Sequence, residues 1–246
     1  MPNMPDRRKL YEFVIDEIGE RIIAGKYAPG QTLPNEDTLC RQFQVSRGVL
    51  REATKVLINK GLICSRPKIG TQVREPRDWN LFDEDVLIWK LKATDRHGFL
   101  HRITEVRRII ETEALALAAV RASAPEIDHM RSLFQTLEAT LADEKAYRYA
   151  DYLQADMQFH TAILDASHND LLAQIGRTMR QAVITGRQVD TQDIAILRDS
   201  MPLHLAMVDA VAKRDESMAR RAAQAMFAQV MRHLPGGLNS DQGHVA

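Results

Sequence analysis

Cysteine is almost missing from this chain: Cys40 and Cys64 are the only two in 246 residues. Two isolated thiols make neither a disulfide framework nor a metal-type spacing, which points to a reducing cytoplasm. Long apolar runs are missing too. No stretch approaches the ~18 residues that a membrane helix needs, and the opening MPNMPDRRKLYEF lacks the apolar core of a signal peptide, so neither export nor membrane insertion is expected. Net charge is also lacking, with 33 Lys and Arg balanced by 33 Asp and Glu. From Asp95 onward there is no strand pattern, no glycine-rich phosphate loop and no long-period repeat. What is present is a chain with 45% hydrophobic residues, enough to fold unaided as one large or two ordinary domains.

The zero net charge hides a division. Residues 1–77 hold 14 Lys and Arg against 9 Asp and Glu, leaving 19 against 24 for the rest. A basic front and an acidic back suggest different partners, with nucleic acid the candidate for the first and ordinary scatter the plain alternative. Within the front part, residues 8–24 place Leu10, Phe13 or Val14, Ile18, Ile22 and Ile23 at helical spacing, closed by Gly25 and Pro29-Gly30. Asn35 suits the cap of a second helix, with Glu36 and Asp37 in its first turn. Ser46 suits the cap of a third, which carries Arg47, Gly48 and Arg51 towards one side and Leu50 and Leu57 towards the other. Two short helices joined by about three residues have the spacing of a helix-turn-helix. Beyond Gly61, Leu62–Ser65 and Thr71–Val73 read as strands around a basic turn with Lys68 and Gly70 at its tip, a wing. Arg47 and Arg51 are either solvated charges or forks for guanine edges and phosphates.

With Gly30, Leu33-Pro34, Ser46-Arg47, Leu50-Arg51-Glu52, Gly61-Leu62-Ile63 and Gly70-Thr71 in place, this region resembles the winged-helix domain of the GntR family of bacterial regulators. The resemblance implies DNA contacts from Ser46, Arg47, Gly48, Arg51, Lys68 and Gly70. One position departs from it: many members carry a DNA-contacting arginine early in the second helix, and here Asp37 stands there.

The segment 76–94 reads as a linker whose Trp79, Leu81, Phe82, Val86, Leu87 and Trp89 are too apolar to lie in water. It is expected to dock on the rear domain through a short helix. Its Asp78-Trp79-Asn80-Leu81 and Asp85-Val86-Leu87-x-Trp89 motifs resemble the galactonate-operon branch of the same family.

Residues 95–234 carry only helical signals with short connections, an antiparallel bundle, and 235–246 read as a disordered tail. The expected architecture is therefore mainly α, a winged helix-turn-helix over 1–75 followed by an all-α bundle. Asp156 and His160 stand four residues apart on one helix face, suited either to chelating a metal ion or to a simple hydrogen-bonded pair. His204, between two leucines on a later helix, fits a third ligand or a satisfied core histidine. Arg107, with Glu111 one turn later, matches a carboxylate bidentately, or else forms a surface ion pair.

These helices resemble the FCD-type ligand-sensing domain. Its metal-binding members use an Asp-x3-His pair and two later histidines, so the resemblance implies that Asp156, His160 and His204 hold a divalent ion, Zn²⁺ above others, while Met226 takes the fourth place. A thioether is a poor zinc ligand, so water or an effector carboxylate would have to complete the site. The resemblance also faces Arg107 into the effector pocket and sets Asn169 in the matching loop motif, with Glu111 one turn on to orient the arginine and Arg108 a competitor for its role. The expectation is a homodimeric cytoplasmic repressor that leaves its double-stranded DNA operator on binding a sugar acid such as galactonate or gluconate. A metal-dependent hydrolase using Asp156, His160 and His204, or an effector-independent architectural DNA binder, are the alternatives.

Overall fold

The computed structural model describes residues 7–93, 95–187 and 193–234. They form two compact units that divide at Arg96.

The first unit opens with α1 (Arg7–Ile23), α2 (Glu36–Phe43) and α3 (Arg47–Asn59). Asn35 caps α2 by accepting the Thr38 amide at 2.9 Å, and Ser46 caps α3 by accepting that of Val49 at 3.3 Å, each satisfying one orphan donor of a first turn. Between them Gln44 adopts a left-handed conformation (φ 55°) that ends α2 and turns the chain. Ile18, Ile22, Leu50, Leu57, Leu62 and Ile63 are fully buried here. The apolar faces expected from helical spacing are therefore the ones that pack. Strands β1 (Ile63–Arg66) and β2 (Gly70–Val73) pair antiparallel, Ile63 opposite Val73 and Arg66 opposite Gly70. Lys68 (φ 65°) and Gly70 (φ 105°) both need positive φ at the tip. This is the expected winged helix-turn-helix.

The linker goes elsewhere than expected. Trp79, Val86 and Trp89 join the core of this first unit, with α4 (Glu84–Lys92) packed on α1. The sequence expectation names the rear domain as the linker's partner, and the contacts among the described residues are with the first unit. Trp89 Nε1 donates to Asp16 Oδ1 at 3.2 Å, and its ring lies so close over Gly19 that a Cβ there would sit 2.4 Å from it. Lys60, at the end of α3, donates to Asp83 Oδ1 and lies 2.7 Å from Asp85 Oδ2. Two acids at the start of α4 thus clasp the end of the helix that carries Arg47 and Arg51.

The second unit is all helical: α5 (Arg96–Arg121), α6 (Ala124–Ala139), α7 (Tyr149–Ala166), α8 (Asp170–Arg187), α9 (Ile194–Ala212) and α10 (Glu216–Arg232). A capping box of Ser123 and Glu126 starts α6, and Asp193 and Asp215 cap α9 and α10. Its core runs from Leu115 and Met130 through Phe159 and Ile163 to Met207 and Ala223. Among the described residues no helix is long and apolar enough to cross a membrane. The tail expected to be disordered, 235–246, lies outside the described residues.

Candidate functional site

Two surfaces carry chemistry. The first is the outer face of α3. Arg47 and Arg51 are exposed there, as a groove-reading helix requires, and Gly48 between them is exposed too. Ser46 is the cap that starts this helix, while Lys68 and Gly70 stand exposed at the wing tip. Both arginines are engaged by α2: Arg47 Nη2 lies 2.7 Å from Asp37 Oδ1, and Arg51 donates Nε and Nη2 to the two oxygens of Glu36 at 2.6 and 3.1 Å. The residue that departs from the family pattern, Asp37, is therefore ion-paired with one of the candidate readers.

The second surface is a cavity of about 100 Å³ inside the helical unit, lined by Arg107, Tyr152, Asp156, His160, Arg180 and His204 among others. Helix α7 supplies Asp156 and His160 one turn apart, α9 supplies His204 and α5 supplies Arg107. The three expected ligands converge, with one ligating atom from each lying within 4.8 Å of the others. His204 Nδ1 lies 3.0 Å from the carbonyl of Ser200, which only accepts, so Nδ1 is the donor. In the neutral ring that leaves Nε2 as an acceptor, 3.3 Å from Asp156 Oδ1. His160 repeats the arrangement, with Nδ1 3.3 Å from Glu111 Oε2 and Nε2 3.5 Å from the same Asp156 oxygen. Burial, helped by the positive field of Arg180, lowers the His160 pKa to about 4, so this ring is neutral near pH 7. With both rings in that neutral form, a carboxylate oxygen facing two acceptor nitrogens is repulsive without a cation between them. With both outer nitrogens already oriented, the set fits a Zn²⁺-like divalent ion.

Arg180 of α8 organises the charges around these ligands. Its Nη1 donates to Glu111 Oε2 at 2.8 Å and its Nη2 to Asp156 Oδ2 at 2.5 Å. Burial alone would raise the Asp156 pKa, but the Arg180 guanidinium beside it outweighs that and holds the carboxyl well below the usual range. Glu111 is held low in the same way, its burial overcome by Arg107 and Arg180. Glu111 does not line the cavity; it sits behind and takes the Arg107 Nε at 2.8 Å. Met226 lines the cavity with the triad, at the place the fourth ligand was expected. Asn169 is not in this wall. Its Oδ1 accepts the Leu172 amide at 3.2 Å and starts α8, a capping role.

Arg180 and Gln229 were not foreseen. Both line the cavity, and among the described residues Arg180 Nε and Gln229 Oε1 are buried without a hydrogen-bond partner. A signal for the arginine did exist. It falls between Gly176 and Val183 on the buried stripe of an amphipathic helix, where a charge is found only if paired.

A model of the gntR family of bacterial regulatory proteins matches residues 10–73, and an FCD domain model matches 102–229. The chain is 31% identical over 221 residues to the uncharacterised HTH-type transcriptional regulator YieP of Escherichia coli (strain K12), covering 90% of this chain and 94% of the relative. It is 30% identical over 224 residues to the galactonate operon transcriptional repressor of the same organism, with 90% and 95% covered. Among solved structures, Lar, which controls the expression of the Listeria monocytogenes agr system, matches with a TM-score of 0.60 at 19% identity, over 91% of this chain and 97% of that one. With a gntR winged helix in front and an FCD domain behind, the chain belongs to the GntR family of transcriptional regulators and is not an enzyme.

Proposed function

We propose that this regulator is a homodimeric repressor of sugar-acid catabolism genes, released from its operator when a hydroxylated carboxylic acid enters the helical unit. The observation that carries the reading is the set of unmatched groups in one small cavity. Asp156, His160 and His204 present acceptors to a cation, Arg180 Nε is an unused donor and Gln229 Oε1 an unused acceptor. A simple carboxylate satisfies the donor but not the acceptor; a hydroxy acid satisfies both. Charge supports an acid. Arg107 and Arg180 balance Glu111 and Asp156, so a divalent ion would leave the cavity positive until an anion enters. When bound, a Zn²⁺-like ion held by Asp156, His160 and His204 supplies a Lewis-acid centre for a carboxylate or hydroxyl oxygen. Arg107, with Glu111 orienting its Nε, supplies a guanidinium for the carboxylate. The galactonate repressor at 30% identity supports a hexonate as the acid.

At the other end, Arg47 and Arg51 read the major groove and Lys68 the backbone, two copies facing two half-sites as dimeric helix-turn-helix proteins do. An acid releases the operator only if it binds one arrangement of the protein better than the other. Aldonates and uronates are therefore screened by thermal shift against untagged protein resupplied with zinc, and each hit is tested for release of a duplex selected by the protein itself. Stabilisation and release by a hexonate, lost in Arg107→Ala while duplex binding persists, is the expected result. Less than one metal equivalent per chain after resupply refutes the metal assignment. Tight duplex binding indifferent to every acid refutes the effector reading.

A further inference from the structure

Two acids of α2 hold the candidate reading arginines. Glu36 and Asp37 are the first two residues of α2, a position the helix dipole favours for carboxylates. Both reach across to α3, Glu36 in a two-pronged pair with Arg51 and Asp37 in a single 2.7 Å contact with Arg47. About two-thirds of the Arg47 side chain and of its Asp37 partner is exposed. Such pairs are water-screened and readily exchanged for another partner. Off DNA, the two exposed cations of α3 nearest its start are thus neutralised in place, Arg51 by a two-pronged hydrogen-bonded pair and Arg47 by an ion contact.

We infer that Asp37 is a specificity-determining residue of the DNA-reading surface, acting through Arg47. It keeps the guanidinium near the start of α3 and cancels the charge that would otherwise bind any phosphate. Non-specific affinity grows with each arginine or lysine free to displace a counterion, whereas base reading depends on the direction of a fork. One carboxylate beside Arg47 lowers the first and leaves the fork free to turn to a base edge, so the ratio of the two rises. The inference rests on α3 being the groove-reading helix of the proposed function.

The test uses the full chain, a duplex that the wild type selects from a random library, and a scrambled duplex of equal length. Asp37→Asn keeps the shape and removes the charge. Its ratio of selected to scrambled affinity is expected to fall about fivefold or more, and its log K against log salt on the scrambled duplex to steepen by about 0.9, the value for one added phosphate contact. In an Arg47→Gln background the same change should do nothing further. An unchanged ratio and slope for Asp37→Asn, or an undiminished effect in the Arg47→Gln background, overturns the inference. If Arg47→Gln alone leaves both affinities at wild-type values, it is the reading role of α3 that fails, a result distinct from a silent Asp37→Asn beside a damaging Arg47→Gln.

Discussion

Arg180 joins two carboxylates that burial would otherwise drive towards neutrality. Its side chain is 2% exposed and so is that of Glu111, while Asp156 is 18% exposed. Removing one partner of a buried ion pair is far more damaging than the pair's net worth, because the remaining charge is left in a poor solvent. Arg180→Met is therefore expected to cost the helical unit about 3–5 kcal/mol, as measured by urea unfolding. Arg180→Lys should recover only part of it, since one ammonium lacks the planar fork that reaches Glu111 and Asp156 together. A loss under about 1 kcal/mol, the range of exposed pairs, would show that water reaches these groups and that the cavity is more open than its geometry indicates. Asn169 teaches the opposite lesson at this scale. An amide in a helix-starting loop satisfies the backbone first, and its Oδ1 is committed to Leu172.

At the scale of elements, helical spacing together with caps made most of the architecture legible. Asn35 and Ser46 mark the starts of α2 and α3 where the sequence places them, and the wing strands fall within a residue or so of the expected ones. The convergence of Asp156, His160 and His204 was legible in part, since i, i+4 spacing joins the first two but only tertiary packing brings α9 beside α7. The destination of α4 was not legible. Apolar periodicity says that a helix has a face to bury and is silent about which neighbour covers it. The deciding feature is a glycine: Gly19 on α1 leaves the space that Trp89 fills. In an exposed helix interior Gly→Ala stabilises by about 1 kcal/mol. Here the new methyl meets the indole at 2.4 Å, so Gly19→Ala should instead destabilise the first unit by about 1–3 kcal/mol. Chemical denaturation followed by tryptophan fluorescence reads both the stability and the displacement of Trp89. A stabilised variant with unchanged fluorescence would show that α4 is not held against α1.

For the whole molecule, the division at Arg96 separates two chemistries as well as two cores. One buried cluster gathers α1, α3, β1 and α4, and the other gathers α5, α6, α7, α9 and α10. The groups that fit metal and acid all lie in the second unit, and those that fit DNA all lie in the first. Binding to the native state alone stabilises by RT ln(1 + [L]/Kd), about 2.7 kcal/mol at a ligand concentration of 100 Kd. Calorimetry of the full chain is therefore expected to show two transitions. Zinc followed by a hydroxy acid should raise only the one assigned to the helical unit, with Arg180→Met identifying it by lowering it. A selected duplex should raise the other, with Gly19→Ala identifying it in turn. If effector signalling works by coupling the units, acid and duplex added together should stabilise less than the sum of their separate effects, because each then favours an arrangement that the other disfavours. Strict additivity would mean that the acid binds without speaking to the DNA-reading surface, and repression would have to be relieved by some other route.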